Sequence, residues 1–399
     1  MDYFFVLGNH PLLSMAEILA ALPKATKAHL CGANALVLSL EQELNVPEFL
    51  KTVGGTIKAG RIETSLARIA EATDKSVEVL SKFLPESGKF SFGVSSYGHN
   101  GPVPKIVGMT IKNKFRDQGV SCRWVTSRET TLSSVVVEQN KLLSNSGREL
   151  VFLTANKKTL VGVTLAVQPF KDLSQRDYGR PARDDHSGML PPKLAQIMLN
   201  LAAVKKTDLV VDPFCGSGTI LTEAMLMGYS NILGSDISAK AITDSEINIA
   251  WIAKRYALKN FPKLEKADAK EISVLYKANS IDAIVAEVYL GPQRGKLDLK
   301  NVVKELTTLY NACLKDFYKV IKPGKRIVLA LPIFRQGHDL NYLPLDLASF
   351  KVINYLPEDL QVKEGLTPRQ SFIYGRDNQT IFREIIVLEK ALSPALPRA

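Results

Sequence analysis

Asp212-Pro213-Phe214-Cys215-Gly216-Ser217-Gly218-Thr219 follows the apolar segment Leu209-Val210-Val211 and precedes Ile220-Leu221-Thr222-Glu223-Ala224-Met225-Leu226, whose apolar residues recur at helical spacing. The order predicts a strand, a glycine turn and a helix start. Glycines at such a turn let a ligand approach the backbone, because they lack a Cβ and tolerate positive φ. A loop that cradles nucleotide phosphates ends in Gly-Lys-Ser/Thr or follows G-x-G-x-x-G. Neither pattern is present. A carboxylate at the strand end, Asp212, suits a cationic ligand instead. A dinucleotide-type loop and a plain structural turn are the alternatives.

The downstream sequence continues as a doubly wound sheet. Residues 232–236 read as a second strand ending in Asp236, 24 residues after Asp212. At that spacing an acid meets a ribose hydroxyl in such folds. Residues 281–286 read as a further strand, followed by Glu287. Residues 306–318 read as a helix and 321–325 as a turn into a strand over 326–331. Residues 350–355 and 380–388 supply the closing strands. Asp212, Asp236 and Glu287 all fall at carboxyl ends of strands, where open α/β sheets bind ligands. Asp268, in Lys266-Ala267-Asp268-Ala269, is either a site residue or a local cap.

The run 212–219 resembles motif I of the class I methyltransferases that modify exocyclic amines of nucleobases. That resemblance implies S-adenosyl-L-methionine as cofactor. It implies a binding set of Asp212, Phe214, Gly216, Gly218, Thr219, Asp236, Ile237, Asp268 and Ala269, with Asp268 on the adenine amine. Amine methyltransferases carry Asp/Asn-Pro-Pro-Tyr/Phe after the fourth strand. This chain has Glu287-Val288-Tyr289-Leu290-Gly291-Pro292. By this resemblance Glu287 takes the place of the acid and is expected to accept from an amine N–H, for guanine from N1–H and N2–H. Tyr289 is expected to stack on the flipped base from a shifted position. Loss of the two prolines removes the rigidity that would aim the backbone carbonyl.

The 399 residues carry a net charge of +11, with 46% hydrophobic residues and a pI near 9.3. Two to three domains with real cores are expected. The excess is spread, +5 before Lys171 and +6 from it onward, and favours a polyanion such as nucleic acid. The sequence contains no apolar run of transmembrane length and no basic leader, so no membrane partner is expected. Four cysteines without CxxC spacing point away from a metal or a disulfide framework and fit a reducing compartment, the cytoplasm.

Before residue 170 the segments are short and alternate in type. Residues 3–7 and 35–40 read as strands. Residues 15–22 read as a helix capped by Ser14 with Glu17 three positions on. Residues 46–52 and 76–84 read as helices. Then follow a strand over 90–95, a basic helix over 105–117, a strand over 122–125, a helix over 133–142, and strands over 149–153 and 160–168. In the basic helix Ile106, Met109 and Ile111 supply the apolar positions. This order, with the phrases Gly54-Gly55-Thr56-Ile57-Lys58 and Leu132-Ser133-Ser134-Val135-Val136, resembles a THUMP domain. It implies RNA binding through Lys105, Lys112, Lys114, Arg116 and Arg123; taken alone, the helix reads as a solvated face. Residues 171–192 are a linker by composition. They resemble the segment that covers the cofactor in THUMP-type guanine-N2 methyltransferases, and Arg180 and Arg183 are candidates for phosphate contact.

The expected architecture is an N-terminal ferredoxin-like α+β domain over 1–85 and a THUMP-like domain over 86–170. A covering segment over 171–195 and a class I, Rossmann-like α/β methyltransferase domain over 196–399 complete it. As a whole the chain resembles the THUMP-domain tRNA guanosine-N2 methyltransferases, of the guanosine-10 type, with tRNA as partner. Open alternatives are a ribosomal-RNA guanine-N2 enzyme, a DNA amine methyltransferase, and an inactive relative that binds RNA and keeps the cofactor pocket. Oligomeric state is not readable.

Overall fold

The computed structural model describes residues 1–183, 189–292, 298–360, 365–377 and 379–392. The expected covering segment 171–195 therefore includes five residues, 184–188, that lie outside the described residues. The chain forms two compact units, one of Met1–Met15 with Leu22–Pro169 and one of Ala16–Ala21 with Phe170–Ala399.

The first unit runs β1 (Asp2–Leu7), α1 (Pro11–Ala21, shared with the second unit), β2 (Lys27–Cys31), β3 (Ala35–Ser39), α2 (Val46–Thr52) and β4 (Thr56–Leu66). It continues with α3 (Ala72–Ser81), β5 (Phe90–Gly98), α4 (Pro104–Asp117), β6 (Cys122–Val125), α5 (Ser134–Gln139), β7 (Gly147–Ala155) and β8 (Lys158–Val167). All eight strands join one sheet in the order β2-β3-β1-β4-β8-β7-β5-β6. The strands before residue 85 form one half and those after it the other, and antiparallel pairing of β4 with β8 joins them.

Three details of this unit differ from the sequence reading. α1 begins at Pro11 rather than after Ser14, because proline suits a first helical position. Ser14 is inside the helix, and its hydroxyl donates to the His10 carbonyl at 3.0 Å. β2 and β4 were not expected as strands. In α4 the buried residues are Val107, Ile111 and Phe115, while Ile106 and Met109 are exposed.

β4 escapes a pattern reading because it carries Lys58 inward. The Lys58 ammonium is fully buried and donates to Glu149 Oε1 at 2.7 Å and to the Leu132 carbonyl at 2.8 Å. Glu149 also accepts from Ser95 Oγ and Thr164 Oγ1, each at 2.6 Å. Residues from β4, β5, β7 and β8 thus meet at one buried carboxylate. Burial opposes the charge on Lys58, yet the adjacent Glu149 holds its pKa above the usual lysine value.

The second unit runs α6 (Phe170–Tyr178), α7 (Pro192–Leu201), β9 (Leu209–Asp212), α8 (Thr219–Leu226), β10 (Asn231–Asp236), α9 (Ala239–Tyr256), β11 (Lys263–Lys266) and a 3₁₀ turn over Ala269–Val274. Then come β12 (Ile281–Glu287), α10 (Leu299–Val320), β13 (Ile321–Gln336), β14 (Asp339–Tyr342), β15 (Phe350–Val352), β16 (Phe372–Tyr374) and β17 (Ile381–Lys390). The sheet order is β11-β10-β9-β12-β13-β17-β15, with β14 on β13 and β16 on β17. The first five of these strands are mutually parallel, and β17 is antiparallel to β13. This is the Rossmann-like sheet expected. The turn over 321–325 survives as a bulge within β13, where pairing jumps from Ile281–Ile321 to Ala283–Arg326. The core beneath α10 gathers Ile284, Leu329, Tyr310, Cys313 and Phe317. Each large side chain buried there contributes about 1.5–3 kcal/mol.

The chain reverses its direction of progression across the sheet between β9 and β12. β10 and β11 lie on one side, β12 and β13 on the other. A crevice opens at such a switch point, beyond the carboxyl ends of the strands. Asp212 and Glu287 terminate the two strands that border it.

Candidate active site

A cleft of about 600 Å³ occupies this crevice. Its lining includes Phe214, Gly216, Thr219, Asp236, Ile237, Asp268, Ala269, Glu287 and Tyr289, nine of the eleven residues assigned to cofactor or catalysis. The other two, Asp212 and Gly218, shape it from behind. Asp212 is 1% exposed and its Oδ1 accepts from the Phe214 N–H at 3.1 Å. Gly218 has φ +82°, and a Cβ there would press on Ser245 at 3.0 Å. Gly216, at φ +50°, would meet no atom nearer than 4.0 Å. Glycine takes these positive φ values without strain, and its missing side chain leaves the backbone open to a ligand.

The loop is braced from several sides. Asp236 Oδ2 accepts from Gly216 N–H at 3.0 Å and Oδ1 from Ser238 N–H at 2.9 Å. Ser245 Oγ donates to the Gly216 carbonyl, and Asn248 Nδ2 to the Ser217 carbonyl, both at 2.8 Å. Asn248 also exchanges two hydrogen bonds with the Ala182 backbone. One side chain of α9 therefore ties the 171–195 segment to the glycine loop, and Met189 and Leu190 of that segment line the cleft. Asp268 caps the 3₁₀ turn by accepting from Lys270 N–H at 3.0 Å, so the cap reading holds while the residue also faces the cleft.

Arg180 differs from its sequence assignment. It is 6% exposed, and its Nη1 donates to Thr219 Oγ1 at 2.5 Å. Arg176 beside it forks onto Glu223 at 2.7 and 3.1 Å, and Gln196 adds a third bond to that carboxylate. Burial raises the Glu223 pKa and Arg176 opposes it. Arg180 thus supports the start of α8 from within the unit and does not present a phosphate contact. Arg183 is exposed, its Nη1 on the Tyr178 carbonyl at 2.9 Å.

The electrostatics favour a cation. Burial, then Asp236 and Glu287, push the Asp212 carboxyl well above the usual range. Burial raises Glu287 too, and the Arg383 guanidinium opposes the rise, its Nε donating to Oε1 at 2.5 Å. Among the described residues Oε2 of Glu287 and the carbonyl of Val288 have no hydrogen-bond partner. Val288 N–H is fixed on the Ala330 carbonyl at 3.3 Å, and the buried Tyr310 hydroxyl donates to the Tyr289 carbonyl. Tyr289 is 52% exposed and Leu290 is buried. No group of His, Cys, Asp or Glu suited to a metal exists among the described residues.

Sequence reasoning missed Arg383, Tyr310, Ser245 and Asn248. Two left a signal. Ser245 and Asn248 are polar positions on the buried side of α9, and Arg383 interrupts an apolar closing strand.

In the first unit Lys105, Lys112, Arg116 and Arg123 are exposed. The first three share a face of α4 by their spacing. Lys114 pairs with Asp74 and Arg123 donates to Asn140 Oδ1 at 3.1 Å. Lys105 and Met109 border a shallow depression with Trp124 and Arg128, which the sequence reading did not single out.

Residues 180–337 match the RMKL-like methyltransferase domain family, and residues 103–247 match a DNA methylase family. A tRNA (guanine(10)-N2)-dimethyltransferase of Methanothermobacter thermautotrophicus is 28% identical over 217 residues, 53% of this chain and 60% of that protein. One of Methanocaldococcus jannaschii is 34% identical over 43% of this chain and 49% of its own length. The chain thus spans about half to three fifths of the length of these two relatives. The crystal structure of TrmN from Thermus thermophilus superposes with a TM-score of 0.54 at 18% identity, covering 98% of this chain and all of that one. A possible methylase from Clostridium difficile 630 gives a TM-score of 0.51 at 13% identity. The fold is that of these methyltransferases.

Proposed function

We propose that this chain, a relative of the tRNA guanine-N2 methyltransferases, transfers a methyl group from S-adenosyl-L-methionine to the exocyclic N2 of a guanosine in tRNA. The observation that carries the reading is a pair of unengaged acceptors, Glu287 Oε2 and the Val288 carbonyl, at the rim of an acid-lined cleft behind an open glycine turn.

The cleft fits the cofactor. Asp212, Asp236 and Glu287 gather negative charge where a sulfonium and an ammonium group need it, and Gly216 offers backbone without a side chain. Asp212, Phe214, Gly216, Gly218, Thr219, Asp236, Ile237, Asp268 and Ala269 would hold it. The bound cofactor supplies an electrophilic methyl group. An exocyclic amine has two N–H groups, and two acceptors orient both, which leaves the nitrogen lone pair directed elsewhere. Glu287 is also the group positioned to take the proton that N2 releases. Tyr289 supplies a flat, half-exposed wall for an unstacked base. The exposed cations of α4 and β6 grip the RNA backbone. Division of the chain at about residues 85, 170 and 195, and a cytoplasmic location, belong to the same reading.

The test is to incubate the purified chain with methyl-labelled cofactor and total RNA, digest the RNA and identify the labelled nucleoside. N2-methylguanosine or its dimethyl form in tRNA is the expected product. Label confined to ribosomal RNA replaces the substrate. Binding of cofactor and tRNA without any transfer replaces the enzyme with a binding protein whose 287–290 loop is silent.

A further inference from the structure

Glu287 is longer by one methylene than the acid usual at its position, and its carboxylate is held from two strands away. β13 lies between β12 and β17, so Arg383 reaches Glu287 past an intervening strand. Its Cα is opposite Pro332, two residues beyond Ala330, the partner of Glu287. The guanidinium approaches diagonally and engages Oε1 alone. Both side chains are enclosed, 9% and 15% exposed.

We propose that Arg383 is a positioning residue for methyl transfer: it holds Glu287 as an anion with one oxygen engaged, so that the other oxygen alone is presented to the target amine. This rests on the function proposed above. Three carboxylates crowd these strand ends. Asp212 on β9 has both Asp236 and Glu287 as charged neighbours, and like charges at close range favour protonation of one of them. A proton on Glu287 would turn an acceptor into a donor and repel the amine N–H. Arg383 on β17 is the cation that opposes this, and Tyr374 on β16 faces both members of the pair. The arginine also fixes the extra torsion that glutamate has over aspartate.

The pair is tested in the full chain with Arg383→Gln and Arg383→Lys. With Gln, kcat at pH 7 should fall about 10²-fold, the scale of a misplaced catalytic group. KM for the cofactor should stay within about twofold. The acid limb of the kcat profile should move to higher pH, so that activity partly returns near pH 9. Lys, which keeps the charge, should retain most of the wild-type limb. An unchanged kcat, or an equal loss at every pH, overturns the proposal.

A second readout needs no activity. Without the guanidinium, the Glu287 carboxyl titrates higher in the folded state than in the unfolded chain. The stability it contributes is present at low pH and lost as pH rises through its folded pKa. The melting deficit of Arg383→Gln relative to wild type should therefore grow from pH 5.5 to pH 8.5, and the growth should vanish in a Glu287→Gln background. A deficit independent of pH overturns the ion pair itself. A wild type that transfers no methyl while the melts behave as stated overturns the catalytic role together with the proposed function and leaves the pair standing.

Discussion

At the scale of single residues, Asp212 sets stability against function. It is buried, it accepts one backbone N–H, and two further carboxylates are near it. Its carboxyl is pushed well above the usual value by burial first and by those acids next. A folded pKa above the unfolded one means that the folded state binds the proton more tightly. Stability from this group is therefore highest at low pH and is lost as pH rises through the folded pKa. Asp212→Asn keeps an oxygen for the Phe214 N–H and removes the charge. The unliganded variant should melt above wild type at pH 8, with the difference shrinking toward pH 4. It should also lose most of the stabilisation by S-adenosyl-L-methionine, which for wild type at 100 times Kd is about 2.7 kcal/mol. A variant that melts lower at pH 8 would contradict this account, and scanning calorimetry decides it. Asp212, Asp236 and Glu287 were legible because each ends an apolar run, where a doubly wound sheet binds ligands. Arg383 was not, since its partner is 96 positions away and only the order of strands brings them together. Arg180 was misread for a related reason: composition marks a linker arginine as exposed, and only packing shows it against Thr219.

At the scale of elements, the 287–290 loop replaces proline rigidity with tertiary bonds. Val288 is held by β13 and the Tyr289 carbonyl by the hydroxyl of Tyr310 on α10. Tyr310 also meets the Phe214 ring edge-on, centroids 6.3 Å apart, so one residue contacts both sides of the cleft. Tyr310→Phe removes the hydroxyl and retains the ring. One hydrogen bond is worth about 1 kcal/mol, so kcat should fall about fivefold with cofactor Kd nearly unchanged. Steady-state kinetics with calorimetric cofactor titration checks this, and an unaltered kcat would show that the loop needs no clamp. The central strands of the first unit depend on another tertiary bond set. Glu149→Leu leaves the Lys58 ammonium buried without its counter-ion, and urea melts should show a loss of about 3–5 kcal/mol. These two devices mark the limit of pattern reading. α2 and β6 were read to the residue because their periodicity agrees with their burial. β4 was missed because an inward lysine reverses the alternation, and in α4 only Ile111 of the three apolar positions read is buried, because Ile106 and Met109 are exposed apolar residues beside its cations.

At the scale of the whole molecule, the positive excess has work to do that no single site accounts for. The cleft of the second unit is acidic, so the +11 charge must be carried by other surfaces. On α4, Lys105, Lys112 and Arg116 share one exposed face. Lys114, on the opposite side of the helix by the same spacing, is already countered by Asp74. RNA binding through phosphate contacts releases counter-ions, and affinity then falls linearly on a log–log plot against salt. Each cation lost from such a surface lowers the slope by about one unit. The full chain carrying Lys105→Ala, Lys112→Ala and Arg116→Ala should therefore bind tRNA more weakly, with a salt slope smaller by about 2–3 units. Lys114→Ala should change the slope much less, because its charge is shared with an acid. Cofactor affinity and melting temperature should be unaffected in the triple variant, since its replaced side chains are exposed and none of them lines the cleft. Filter binding of tRNA across a salt series measures the slopes. Equal slopes for wild type and the triple variant would mean that α4 is a solvated face after all, and the polyanion would then have to meet other cations of the chain.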